Sequence, residues 1–122
     1  MPKGIPPDWH SVTPRLVVDD PHGMVEFLKN VFGAGGEYAG ERPSVVRIGD
    51  SHVMVSGREA RPATAAFLYV YVEDVDATYE RALQCGASSV EAPADLPYGD
   101  RRAMVADRFG NTWQIAMWSA GR

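Results

Sequence analysis

The chain has 122 residues, of which 45% are hydrophobic and 23% charged, and its formal net charge is −4. This length and composition are typical of one globular domain with an ordinary buried core. The acidic balance argues against nucleic acid or an anionic membrane as the main partner. The lone Cys85 excludes an internal disulfide, and no segment resembles a secretory signal or a membrane span, so we expect a cytoplasmic protein.

The first half of the sequence predicts an arm, a strand, a helix and a hairpin. Residues 1–10 contain three prolines and no apolar run, so we expect them to lie on the surface. LVVDD at 16–20 is a strand candidate, and Asp20 with Pro21 can begin a helix. Apolar residues then recur at the helical spacing i, i+3, i+4 and i+7, namely Met24, Phe27, Leu28 and Val31. A short strand and the hairpin SVVRIGDSHVMVS complete this half.

The second half repeats this plan after a polar, proline-broken linker at 57–65. VYVED at 70–74 matches LVVDD, and a second amphipathic helix and a short strand lead to a hairpin that turns at Gly110-Asn111. This copy is longer, and its extra residues fall in the loop DLPYGD at 95–100, which we expect to form the rim of a site. The sequence therefore predicts a single α+β domain over 1–122. It consists of tandem βαβββ modules at about 12–56 and 66–118.

With VEDVDA opening the second copy and D-x-F-G-N-x-W closing it, this plan resembles the vicinal oxygen chelate superfamily. That superfamily includes glyoxalase I, extradiol dioxygenases, fosfomycin-resistance enzymes and bleomycin-resistance proteins, and the resemblance covers residues 12–118. It implies a curled mixed sheet around a cleft, with the helices outside. It also implies a homodimer, because similar small members pair and often complete each cleft with strands from both chains. It selects no single activity, since its members range from lyases to drug binders.

The resemblance also implies where a metal would bind. In the enzymes of that superfamily, each module contributes two ligands, usually His, Glu or Gln, from its first and last strands. These positions transfer to Thr13 and Met54 in the first module and to Phe67 and Gln114 in the second. Phenylalanine has no donor atom, and a neutral hydroxyl or thioether is a weak ligand for a divalent metal. We therefore expect no metal site, and we expect Gln114 to be a hydrogen-bonding residue of the cleft.

Alternation along the strands predicts which side chains face the cleft. The candidate ligand-binding residues are Arg15, His52, Met54, Phe67, Tyr69, Tyr71, Arg102, Gln114 and Trp118. Aromatic walls stack planar or apolar ligands, and arginine can clamp a carboxylate. The four aromatic residues would form the walls, with Arg15 and Gln114 as polar anchors. Other interpretations stay open: the tyrosines pack at a subunit contact, Arg15 pairs with an acidic residue, and His52 is a surface histidine.

This lining favours recognition of an organic molecule over bond-making. The sequence predicts a metal-independent, cofactor-free small-molecule binding protein, similar to the bleomycin-resistance branch, that holds an aromatic or amphipathic compound. Self-resistance by sequestration is one use of such a protein. The alternative is a metal-dependent glyoxalase-like lyase or dioxygenase. Its Zn, Ni, Mn or Fe ion would be held by an atypical set of ligands such as His52 and Gln114. A metal-free isomerase or hydrolase that uses Arg15, His52 or Tyr69 as acid or base also stays open. The sequence shows no nucleophile–base pair that would separate such an enzyme from a binding protein.

Overall fold

The structure of this protein is a computed structural model that describes residues 3–59 and 61–118. Residues 1, 2, 60 and 119–122, which include parts of the predicted arm and linker, lie outside the described residues. The first module contains β1 (Arg15–Val17), α1 (Pro21–Phe32), β2 (Ser44–Ile48) and β3 (Ser51–Ser56). The second contains β4 (Phe67–Tyr71), α2 (Val75–Gln84), β5 (Ser88–Asp95), β6 (Asp100–Ala106) and β7 (Thr112–Trp118).

Each module forms its own open, mixed sheet. The first sheet has the strand order β1-β3-β2, and the second has the order β4-β7-β6-β5. In both sheets the first strand of the module runs parallel to its last strand, and the remaining pairs are antiparallel. Parallel neighbours require a crossover connection, which the helix and the following strands of each module supply. The predicted α+β fold of two repeated modules is confirmed.

The helices cover one face of the sheets and leave the other face for a site. Asp20 and Asp74 cap α1 and α2 by accepting hydrogen bonds from the backbone N–H groups of Gly23 and Ala77. Apolar side chains of both helices pack against buried strand residues such as Trp113 in one continuous core. Neither described helix is both long and apolar enough to cross a membrane.

Two features of the first module differ from the sequence prediction. The short strand expected after α1 is reduced to a single antiparallel bridge between Gly35 and Arg47. This segment is rich in glycine, whose backbone loses more entropy in a strand than that of other residues. Thr13, expected on the first strand, lies before β1, because Pro14 has no N–H to donate to the sheet. The carbonyl of Pro14 still accepts a hydrogen bond from Met54 N at 2.9 Å.

Buried Asp107 organises the turn between β6 and β7. Its Oδ1 accepts hydrogen bonds from the backbone N–H groups of Phe109 and Asn111, at 2.8 and 2.9 Å. Its Oδ2 accepts one from the indole Nε1–H of Trp113 at 2.8 Å. Asn111 then joins the turn to β4, because its Oδ1 accepts from the N–H of Ala66 at 3.0 Å. The turn thereby holds β7 in place beside β4.

We predict that Asp107→Ala lowers the free energy of unfolding by about 3 kcal/mol or more, since it leaves three donors in a buried region without their acceptor. Urea unfolding followed by Trp fluorescence measures this change. Asp19→Ala is the matched control, because Asp19 forms an exposed ion pair with Arg58 at 3.1 Å. Equal urea midpoints for Asp107→Ala and the control would contradict the role given to Asp107.

Candidate functional site

The second module carries exposed aromatic side chains on the sheet face opposite the helices. Phe67, Tyr69 and Tyr71 alternate along β4 and are 66%, 39% and 57% exposed, whereas Leu68 and Val70 turn towards the core. Trp118, at the end of β7, is 53% exposed. A globular domain normally buries side chains of this size, so a row of them marks a candidate binding surface. We call Phe67, Tyr69, Tyr71 and Trp118 the aromatic face.

Gln114 lies in the middle of this face. The parallel register pairs it with Tyr69 on β4, and the antiparallel register pairs it with Met104 on β6. Phe67 pairs with Thr112, and both lie two residues before the Tyr69–Gln114 pair on their strands. Gln114 is partly buried, and its amide can both donate and accept a hydrogen bond. The structure thus places it among the predicted aromatic residues, with Tyr69 as its strand neighbour.

A buried carboxylate joins the two tyrosines of the face. Asp100, only 2% exposed, accepts a hydrogen bond on Oδ2 from the hydroxyl of Tyr69 at 2.6 Å and from that of Tyr71 at 2.9 Å. The centroids of the two rings are 5.4 Å apart. Both hydroxyls donate to the same carboxylate oxygen, so Asp100 ties the two rings to each other. The carboxylate therefore orients the rings of the face.

Arg102 and Tyr98 extend this network along β5 and β6. Arg102 donates to the hydroxyl of Tyr98 and to Oε1 of Glu91, both at 3.2 Å. The hydroxyls of Tyr98 and Tyr69 are 3.5 Å apart. Within the described part of the chain, the buried Nε of Arg102 has no hydrogen-bond acceptor. The two terminal nitrogens of Arg102 thus hold Tyr98 and Glu91 in place at this end of the face.

The pKa of Tyr69 is raised above its usual value. Removal of its hydroxyl from water is the main cause, and the hydrogen bond to the Asp100 carboxylate raises the pKa further. Tyr69 therefore keeps its proton at neutral pH. This environment suits Tyr69 to act as an oriented hydrogen-bonding group better than as a general base.

The predicted site residues of the first module form a separate group. Arg15 pairs with Met54 in the strand register and donates from Nε to Ser56 Oγ at 2.9 Å. His52 stacks against Trp9 of the N-terminal arm, with ring centroids 4.1 Å apart and planes 3° from parallel. Among the described residues, the buried Nδ1 of His52 has no hydrogen-bond partner. Part of this module's open face is therefore covered by the arm.

A cavity of about 290 Å³ lies between β4 of the second sheet and the β2–β3 turn of the first. It is lined by Tyr69 and Tyr71 from β4, by Pro14 before β1, and by the β2–β3 turn at Gly49 and Asp50. The two tyrosines thus border both the open face and this cavity. A ligand on the aromatic face has a recess available beside it.

Asp100, Tyr98 and Glu91 belong to the network but were missed as site residues in the sequence. Both Tyr98 and Asp100 fall within the loop 95–100, which was predicted only to form the rim of the site. Their composition, an acid and a tyrosine around proline and glycine, is that of an ordinary turn. One signal could have indicated Asp100 as a site residue. Asp100 begins β6, which lies beside β7 and close to β4, the strands that carry the aromatic residues.

The four positions implied for a metal do not fit one. Thr13 and Met54 offer a hydroxyl and a thioether, Phe67 offers nothing, and Gln114 lies between Tyr69 and Met104. In residues 3–59 and 61–118, no three His, Cys, Asp or Glu side chains are grouped so that they could hold a metal ion.

Comparison with known proteins identifies the family. The model of the Glyoxalase/Bleomycin resistance protein/Dioxygenase superfamily matches residues 10–115. The chain therefore belongs to this superfamily, as the sequence motifs indicate.

The chain is also similar to individual proteins and solved structures. An uncharacterized protein of Mycobacterium bovis, Mb0911c, is 32% identical over 123 residues, a match that covers 86% of this chain and 81% of that protein. TioX from Micromonospora sp. ML1 superimposes with a TM-score of 0.76 at 26% identity, covering 89% of this chain and 98% of TioX. A glyoxalase/bleomycin resistance protein/dioxygenase family enzyme from Burkholderia phytofirmans PsJN superimposes with a TM-score of 0.75 at 19% identity, covering 87% and 96%. The last likeness concerns the fold alone.

We predict that Tyr69 ionises at a higher pH than a free tyrosine, whose pKa is about 10. The difference in tyrosinate absorbance between wild type and Tyr69→Phe, followed through a pH titration, isolates this residue. Because the folded state holds this proton more tightly, the stability it contributes is complete below about pH 10 and is lost as the pH rises further. Asp100→Asn should bring the step to lower pH without removing the effect of burial. A Tyr69 step at the usual pH in wild type would contradict the Asp100 network.

Proposed function

We propose that this protein is a metal-independent small-molecule binding protein that holds an aromatic or amphipathic compound on the aromatic face. The observation that carries the proposal is the exposed row Phe67, Tyr69 and Tyr71 beside Trp118, with two of its rings fixed by buried Asp100. Holding rings in place before binding reduces the entropy that the ligand must offset. A surface built in this way is suited to planar or apolar ligands.

Polar groups on the same face define how such a ligand is oriented. The Gln114 amide can both donate and accept a hydrogen bond, and Asp100 holds the hydroxyl ends of Tyr69 and Tyr71 in fixed positions. A compound with a flat ring and a few hydrogen-bonding substituents matches this arrangement. Arg15 remains a candidate anchor for an anionic substituent, although its cavity is distinct from that of the tyrosines.

Several features of the proposal rest on the family and the sequence together. Metal independence is supported by the residues at the four family positions, which include no imidazole or carboxylate. A homodimer is proposed because similar small members of the superfamily pair. We also propose a cytoplasmic location and, as one biological use, resistance by sequestration of a toxic compound.

The binding proposal is tested by titrating the protein with a panel of planar aromatic compounds while following intrinsic Trp fluorescence, with and without a chelator. We expect saturable binding that the chelator leaves unchanged. Tyr71→Ala should weaken binding by about tenfold, because it removes one stacking ring from the wall. Light scattering on the same samples reports whether the chain is dimeric.

Tyr38→Ala is the matched control for this variant. Tyr38 is 39% exposed but stacks on His22 at α1, away from the aromatic face. Equal loss of affinity in both variants, or no saturable binding across the panel, would refute the proposed site.

The second candidate function is a metal-dependent glyoxalase-like lyase or dioxygenase, because the superfamily to which the chain belongs includes glyoxalases and dioxygenases. Gln114→Glu separates the two, because it places at one family position a ligand that enzymes of the superfamily commonly use. If the other three positions cannot complete a coordination sphere, this variant binds Zn²⁺ or Ni²⁺ no better than wild type. Isothermal titration measures the difference.

A one-to-one metal complex in Gln114→Glu, tight and absent from wild type, would show that the remaining ligands are present at other positions. Near-stoichiometric metal in the wild-type protein, purified without a histidine tag, would likewise favour the enzyme. Under the binding proposal, the new carboxylate instead lies beside aromatic rings. Its pKa is expected to rise through loss of hydration, and its charge disfavours anionic ligands.

A further inference from the structure

A second cavity, of about 220 Å³, lies at the end of β3 in the first module. Loop residues before β2, the end of β3 and the start of the linker surround it. It is lined by Arg15, Glu41, Arg42, Pro43, Ser56, Gly57, Glu59 and Arg61. None of the four residues of the aromatic face is among them, so this cavity and that face are separate places on the molecule.

The arginines of this cavity differ from the other described arginines. Arg58, Arg101, Arg102 and Arg108 form ion pairs with carboxylates, and Arg47 and Arg81 donate to backbone carbonyls. Within the described residues, Arg15, Arg42 and Arg61 form no ion pair and contact no carbonyl. Each described guanidinium that lacks an anionic or carbonyl acceptor therefore lines this one cavity.

Arg15 is the most firmly placed of the three. It stands on β1 in register with Met54, and its Nε donates to the hydroxyl of Ser56, which is 8% exposed. This bond fixes the plane of the guanidinium and leaves its other N–H groups to donate elsewhere. Since Ser56 Oγ accepts from Arg15, its own proton is available as one more donor. A rigid set of donors of this kind suits the oxygens of an anion.

Two glutamates moderate the charge of the cavity without cancelling it. Glu41 and Glu59 line it opposite three arginines, so its formal charge stays positive. The Glu59 carboxylate lies over Gly57, where an added Cβ would stand 2.7 Å from both carboxylate oxygens. A glycine at this position therefore leaves room for that carboxylate. Three like charges around one small space repel one another, and an oxoanion between them would relieve the repulsion.

We propose that this cavity is a binding site for an oxoanion, the carboxylate or phosphate group of a small molecule. The site goes beyond the aromatic face, since binding there requires neither a ring nor any residue of β4 or β7. Arg15 and Ser56 hold one side of the anion, and Arg42 and Arg61 close on it from the loop and the linker.

The probes are inorganic phosphate and acetate, each titrated into isotope-labelled protein and followed by heteronuclear NMR. We expect saturable shifts of the Arg15 Nε–H and of the backbone N–H of Ser56 and Gly57. Tighter binding of phosphate identifies a phosphate group as the ligand, and equal or tighter binding of acetate identifies a carboxylate. Arg61→Ala should weaken the better probe by about tenfold, because it removes one charged donor set.

Arg58→Ala is the matched control, because it removes the same charge from the same linker, where Arg58 is paired with Asp19. It should leave the affinity unchanged. Glu59→Gln should raise the affinity, since it removes a negative charge from the cavity. Shifts that do not saturate, or equal losses in Arg61→Ala and Arg58→Ala, would overturn the proposal. Binding of aromatic compounds by the other face is measured separately, so either result stands without the other.

Discussion

The strand arrangement of the second module depends on the hydrogen bonds that the Asp107 carboxylate accepts. This carboxylate accepts two backbone donors and the Trp113 indole, and the same turn sends Asn111 to the start of β4. A strand pairing displaced by one residue would turn every side chain to the other face. Because this turn fixes where β7 begins beside β4, it decides that Gln114 lies next to Tyr69 and that Trp113 enters the core. A buried turn thus sets which side chains form the open aromatic face several residues away.

Much of the fold could be read from the sequence because its signals are local. Helical spacing and acidic caps define α1 and α2, and Gly-Asp and Gly-Asn mark the two hairpin turns. Alternation correctly separated the outward residues of β4 from Leu68 and Val70. The missing strand after α1 has a different cause. The repeat suggests a strand there, but glycine at 33, 35 and 36 makes an extended ladder costly, and the repeat does not carry that information.

The chemistry of the site was less accessible, because it depends on contacts between distant segments. Asp100 reads as a loop residue, yet the pairing of β6 with β7 brings it under the hydroxyls of Tyr69 and Tyr71. Likewise, Arg15 was predicted as an anchor of the cleft, and only the loop at 41–43 and the linker reveal the cavity that it shares with Arg42 and Arg61. Residue type can be predicted from alternation, whereas the partner of a side chain depends on loops whose course has no periodic signal.

The stack of Trp9 on His52 adds a further difference between two modules that share one plan. The arm is covalently attached, so its indole is present at this surface at an effective concentration in the millimolar range. An aromatic ligand that stacks on the His52 imidazole must displace the Trp9 indole, which stays attached to the chain. A ligand that stacks on the exposed ring of Phe67 has no such competitor among the described residues. The two open faces already differ in strand number and side chains, and the arm adds to this difference by acting as an internal competitor on one of them.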